Sequence, residues 1–223
     1  AQIKRGRKFT VRIGVVHTTS TLVPVLQEVL RSCLPATEII HIVDEAVLSE
    51  LLGTGKITPW ITLRLLDHVA SAAHVGAKAV LFSCSSVSGT VDLIRPKVGI
   101  PVVKIDEAMI EKAVSSWSHI GVLATAYTTV KPTKELILSE ARRLGKKIKV
   151  TVALKRDALQ LFYEGDLAAH DRLVIETARS LPWNVDGIVL AQVSLARLVP
   201  HFTRPVLASP TLAVERVRKL LSL

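Results

Sequence analysis

Apolar residues along this chain fall into short unbroken runs, separated by longer stretches in which they recur at helical spacing. Val80, Leu81 and Phe82 form one such run, which reads as a strand buried on both faces. Phe9–Val16, Glu38–Val43 and Ile100–Val103 are the other predicted strands of the first half. Between them, Leu22–Leu30 and Pro59–His74 carry the helical period, with Pro35 closing the first and Gly76 the second. Gly53, Gly55 and Pro59 punctuate a predicted loop. Val91, Leu93, Ile94 and Val98 predict a further helix that begins inside the serine cluster after Phe82. Strands alternating with helices of this length specify a parallel sheet with right-handed crossovers.

The pattern then starts again. His119–Leu123 repeats Arg12–Val16, and both run into hydroxyl-bearing residues. Pro132–Leu144 and Asp166–Leu181 read as helices, Lys147–Val152 and Gly187–Leu190 as strands, and Lys155–Gly165 as a loop. Gly14 with Gly121, Cys84 with Gln192, and Pro101 with Pro205 are paired at nearly one offset, which indicates an internal duplication. The expected fold is therefore α/β, with two similar parallel-sheet halves of flavodoxin or Rossmann type related by a pseudo-twofold axis. An active-site cleft is expected between them. Residues 1–105 with 211–223 form the expected N-terminal half carrying Cys84, and residues 106–210 the C-terminal half carrying Gln192. The helix after Asp106 and the last helix, Thr211–Leu221, fall at equivalent places.

At 223 residues and 49% hydrophobic, the chain can bury a sizeable core. No apolar run is long enough to span a bilayer, and Ala1–Lys8 lacks the apolar core of a signal peptide, so a cytoplasmic protein is expected. The net charge of +10 raises the question of nucleic acid. Only two short basic clusters occur, Lys4–Lys8 and Arg142–Lys149, and aromatics are 4% of the chain. A solvated basic surface that attracts anions is the better reading, with neither a nucleic acid nor a membrane as partner. Two cysteines without a Cys-x-x-Cys pair argue against a zinc site or a disulfide framework, so no metal is expected.

In a parallel α/β fold, ligand sites form where the strands end at their C-terminal side. Those ends carry His17, Thr18, Thr19 and Ser20, then Asp44, then Cys84, Ser85 and Ser86, then Thr125, Tyr127 and Thr128, and last Gln192 and Ser194. Hydroxyls and helix N-termini suit a carboxylate. A thiol at a strand end facing a helix N-terminus has its pKa lowered and becomes a usable base or nucleophile. The plainer reading of Cys84 is a small apolar residue filling a strand end. His17 is read as a base or as a hydrogen-bonded structural residue; Asp44 as orienting an amino group or capping a loop. The chain has no Gly-x-Gly-x-x-Gly and no phosphate-loop lysine motif, so no dinucleotide or nucleotide chemistry is supported. A non-catalytic module that captures a small anion also fits these features.

The strand-to-Cys-Ser-Ser turn, the segment Gly121–Thr125 and the duplicated halves resemble the aspartate/glutamate/hydantoin racemase superfamily over nearly the whole chain. The resemblance implies a cofactor-independent enzyme with two similar α/β domains and a cysteine at the third strand end of each half. One thiolate would take a proton from a carbon beside a carboxylate, and the opposite thiol would return one. It further implies a small carboxylate substrate, held by Ser85, Ser86, Thr125 and Ser194, and a homo-oligomer, a dimer or higher. The sequence departs from this pattern at Gln192, which stands where the second cysteine belongs. Glutamine does not exchange a proton near neutral pH. The remaining candidates for a second proton carrier are His17 or a water, with Gln192 positioning the substrate. Members resembling arylmalonate decarboxylase, which use a single cysteine as proton donor, give the alternative reaction.

Overall fold

The computed structural model describes residues 11–223. Phe9 and Thr10 of the first predicted strand, and the basic cluster Lys4–Lys8, lie outside the described residues. The chain divides into two compact units. The first comprises the described residues up to Ser83, then Thr90–Val103 and Val214–Leu223; the second comprises Cys84–Gly89 and Lys104–Ala213. Each is built on one four-stranded, all-parallel sheet.

The first sheet contains β1 (Val11–His17), β2 (Thr37–Val43), β3 (Ala79–Phe82) and β4 (Val102–Lys104) in the order β2-β1-β3-β4. In β1 every residue from Ile13 to His17 is buried, as a strand with neighbours on both edges and cover on both faces requires. It pairs with β2 through Val15↔His41 and His17↔Val43, and with β3 through Gly14↔Val80 and Val16↔Phe82. A Cβ on Gly14 would sit 2.8 Å from the Ala72 Cβ, so glycine here lets the helix over the sheet approach closely. That helix is α3 (Pro59–His74); α1 (Val23–Cys33), α2 (Glu45–Thr54) and the short α4 (Thr90–Ile94) also belong to this unit. Thr58 caps α3 through its hydroxyl, Pro59 is its first residue, and Ile61, Leu65, Val69 and Ala72 form its buried stripe.

The second sheet repeats the order, as β6-β5-β7-β8, with β5 (His119–Ala124), β6 (Lys149–Leu154), β7 (Gly187–Leu190) and β8 (Val206–Leu207). Residues alternate across β5: Ile120, Val122 and Ala124 join a core with Met109, Ile137 and Val189, while Leu123 joins one with Val174, Ile188 and Leu195. Each such fully buried aliphatic side chain contributes about 1.5–3 kcal/mol. The flanking helices are α5 (Glu107–Ser116), α6 (Tyr127–Arg143), α7 (Arg156–Glu164) and α8 (Leu167–Arg179), and α9 (Ser209–Leu220) follows β8. Among the described residues, no helix is long and apolar enough to cross a membrane.

Four local expectations change. Residues 45–54 form α2, which runs into the loop expected at Gly53–Pro59, because Val47 and Leu51, one turn apart, bury a common face and Gly55 takes the left-handed cap at φ 68°. Residues 156–164 form α7 in the same way, with Ala158 buried and Gly165 at φ 83°. The helix expected after Cys84 is broken into a 3-10 turn (Ser85–Val87), α4 and a second 3-10 turn (Arg95–Lys97). Serine, glycine and Pro96 are poor propagators of a helix, so no long dipole stands behind Cys84. Helix α6 starts at Tyr127, ahead of Pro132, which it accommodates at the loss of one backbone hydrogen bond.

Candidate functional site

In the first unit, strand order alone sets three polar residues side by side. Side chains alternate between faces, so His41, in register with Val15, shares a face with His17 two positions on. Ser83 follows Phe82, the partner of Val16, and therefore falls beside His17 on the other edge. The contacts follow: Ser83 Oγ lies 3.0 Å from His17 Nδ1, and His17 Nε2 lies 2.8 Å from His41 Nδ1. His41 Nε2 then lies 2.6 Å from Oε1 of Gln27 on α1. His17 is fully buried. Burial, aided by the neighbouring His41, pushes its pKa down to about 4, so the ring is neutral near pH 7. His41 is also lowered, first by burial and then by the Arg31 charge.

Asp44 after β2 and Ser20 after β1 are held by protein partners. Asp44 is buried, and its Oδ2 accepts from Arg64 Nε at 2.7 Å and from His68 Nε2 at 2.6 Å. Burial opposes ionisation, but the bonds from Arg64 and His68 outweigh it and hold the carboxyl below its usual range. Asp44 thus ties the end of β2 to α3. Ser20 donates to Glu45 Oε1 through its N–H at 2.9 Å and its hydroxyl at 2.8 Å. Thr19 caps the turn Ser20–Leu22, and the Thr18 hydroxyl is buried with no partner among the described residues.

The second unit gathers Cys84, Ser85, Ser86, Thr125, Tyr127, Thr128, Gln192 and Ser194. Cys84 is a free, half-buried thiol at the extended N-cap position of the Ser85–Val87 turn, and it makes no capping bond with its side chain. Ser86 Oγ donates to Thr128 Oγ1 at 2.8 Å, fixing this loop to the first turn of α6. Ser88 Oγ bonds the Ser85 carbonyl at 3.0 Å and reaches Asp106 Oδ2 at 3.3 Å. Asp106 is 1% exposed, and its Oδ1 has no hydrogen-bond partner among the described residues. Burial raises its pKa to about 6, against the opposing Lys104 charge and the Ser85 and Ser88 hydroxyls.

Gln192 is wired differently. Its Oε1 accepts from the N–H of Thr125 at 2.7 Å, from the N–H of Ala126 at 3.0 Å and from the Thr125 hydroxyl at 3.1 Å. Its Nε2 lies 3.0 Å from the same hydroxyl. Ala126 is the N-cap of α6 and lacks a side-chain cap, so the amide oxygen of Gln192, two residues past β7, satisfies N–H donors at this turn. Tyr127 is partly exposed beneath the Arg156 guanidinium, 5.0 Å from its ring centre, and Ser194 is half-buried on the 3-10 helix Val193–His201.

Ser83, His41, Gln27, Asp106, Arg64 and His68 were not singled out by sequence reasoning. The available signals were a histidine inside Ile39–Val43 and the charged residues Lys104 and Asp106 around Ile105 in an otherwise apolar stretch.

A family model described as Asp/Glu/Hydantoin racemase matches residues 12–217. None of the curated proteins matches the chain. Among solved structures, glutamate racemase RacE1 of Bacillus anthracis superposes with a TM-score of 0.71 at 16% identity, over 96% of this chain and 82% of that one. Allantoin racemase of Klebsiella pneumoniae gives 0.69 at 18%, over 96% and 88%. Aspartate racemase of Picrophilus torridus gives 0.71 at 13%, over 94% and 93%. At these identities the superpositions speak for a shared fold.

Proposed function

Because the chain belongs to the Asp/Glu/hydantoin racemase family, we propose that it exchanges a proton at the α-carbon of a small carboxylic acid, such as an amino acid, through the Cys84 thiol. No cofactor is called for. The observation that carries this reading is the placement of Cys84: a free thiol at a strand end, uncommitted to capping, in a loop whose hydroxyls hold it in place. Orphan N–H groups of the turn that follows, with Ser85, Ser86, Thr128 and Ser194, are suited to a carboxylate and to the charge that develops on it. Thr125 acts through Gln192, which holds the β5–α6 turn in shape. The shared strand order of the two sheets supports reading them as copies of one ancestral unit.

A second reading is favoured by one observation. The Gln192 amide spends its oxygen on three donors, and an amide cannot carry a proton in turnover. A single-thiol lyase, in which Cys84 protonates the carbanion left by loss of carbon dioxide, needs no second acid. Incubation in heavy water with a panel of amino acids, hydantoins and substituted malonates, followed by NMR, separates the two. Deuterium at the α-carbon with loss of optical activity is expected for the isomerase; carbon dioxide with one product enantiomer would replace it with the lyase. Neither outcome on any compound, with ligands nonetheless bound, would reduce the chain to an anion-capturing module.

A further inference from the structure

A reaction run by one thiol leaves that thiol with one proton too many or too few at some step of each cycle. A route for protons between its neighbourhood and water serves such a cycle, and resting on the reading above, the first unit contains a candidate. Three hydrogen bonds stand in series from Ser83 through His17 and His41 to Gln27, and each of the four ring nitrogens takes part in one of them.

The chemistry of the ends fixes the direction of the series. Gln27 presents a carbonyl oxygen, which only accepts, so His41 carries its proton on Nε2. His41 Nδ1 is then a lone pair, which requires His17 to donate from Nε2. His17 Nδ1 is in turn a lone pair and accepts from the Ser83 hydroxyl. Both rings are neutral in this arrangement, in keeping with the burial that lowers both of their pKa values. The inner end is buried, Ser83 being 1% exposed, whereas His41 and Gln27 are half-buried.

We propose that Ser83, His17, His41 and Gln27 form a proton relay that connects solvent at His41 with the residue immediately before Cys84. In the outward step a proton reaches the Ser83 oxygen while the hydroxyl's own proton passes to His17 Nδ1. The Nε2 proton of His17 passes to His41 Nδ1, and the Nε2 proton of His41 leaves to water. One proton enters and one leaves. Both rings change tautomer, and a half-turn of the Gln27 amide then offers its N–H to the bare His41 Nε2, so the same four residues are poised to pass a proton inward. A reversible exchange at carbon needs both directions, and the relay alternates between them.

Long-range proton–nitrogen NMR of the full chain labelled with nitrogen-15 histidine tests this directly, with His17 and His41 assigned by loss of signal in His17→Gln and His41→Gln. The expected result near pH 7 is the Nε2–H tautomer at both rings. An Nδ1–H tautomer or an imidazolium at either ring overturns the relay. Gln27→Leu, at the half-exposed end, is expected to mix the tautomers and slow solvent deuterium uptake at the substrate α-carbon by at least about tenfold. An unchanged rate overturns the relay as well. A Cys84→Ala protein that still exchanges would instead sink the functional reading while leaving the tautomers as expected, so the two failures are separable.

Discussion

At the end of β3 the chain reads Ser83-Cys84-Ser85, and at the end of β7 it reads Ala191-Gln192-Val193. Both polar residues, Cys84 and Gln192, are extended N-caps of 3-10 helices, at φ −114° and −142°. The resemblance ends with the side chains. Cys84 is left uncommitted, while the loop around it is bonded through Ser86 to Thr128 and through Ser88 to Asp106. Gln192 is itself the fastener, with its oxygen filling the donors of Thr125 and Ala126. One strand end leaves its thiol free of hydrogen bonds; the other consumes its polar group in holding a turn. Equivalent topology therefore fixes where chemistry can sit, and the local hydrogen bonds decide whether it does.

The largest expected effect tests the available end. Cys84→Ala should lower α-carbon proton exchange by about 10²–10⁴-fold, the usual contribution of a positioned proton carrier, with little change in thermal midpoint. Gln192→Ala should show the reverse pattern of stability and function: about 1–3 kcal/mol of stability lost in urea denaturation, because Thr125 and Ala126 lose their acceptor. Gln192→Glu keeps an acceptor there, and should retain most of that stability if the amide oxygen serves as a surrogate anion. A Gln192→Ala chain as stable as the parent would remove the contrast.

Acidity distinguishes the two units with opposite signs. His17 has a folded pKa near 4, below its unfolded value of 6.5, so its contribution is present above pH 6.5 and is lost as pH falls toward 4. Asp106 has a folded pKa near 6, above its unfolded value of 3.8, so its contribution is present below pH 3.8 and is lost as pH rises through 6. At about 1.4 kcal/mol per pKa unit these amount to up to about 3.5 kcal/mol for His17 and about 3 kcal/mol for Asp106. Between pH 4 and 6 the two slopes oppose one another. Asp106→Asn should leave stability falling on acidification, and His17→Gln should leave it falling on alkalinisation. Urea midpoints across this range give both signs, and parallel slopes in the two variants would contradict them. The smallest effect is expected of Ser86→Ala, which removes one hydroxyl bond worth about 1 kcal/mol and should lower activity by loosening the Cys84 loop.

The fold was readable because its strands are apolar runs buried on both faces, a pattern set by local composition. Helices α2 and α7 were hidden by their glycines, which sit at or near helix ends, where turn and cap chemistry look alike in sequence. Cys84 and Gln192 were legible as polar strand ends. The Ser83–His17–His41 row was not, because three residues far apart in the chain meet only once strand order and register are known. Asp106 escaped for a similar reason: its burial depends on the serines it bonds, and a charge at a strand end usually marks solvent.

The interleaving of the two units has a consequence for biosynthesis. Val214–Leu223 belongs to the first unit, with Val214 and Val217 fully buried, yet it is made only after all of the second unit has been synthesised. The earliest translated sheet therefore waits, with part of its apolar surface uncovered, until synthesis has run past Ala213. A truncation directly after Ala213 strikes the first-made unit and spares the last-made one. Neither unit can be obtained by cutting the chain at a single peptide bond.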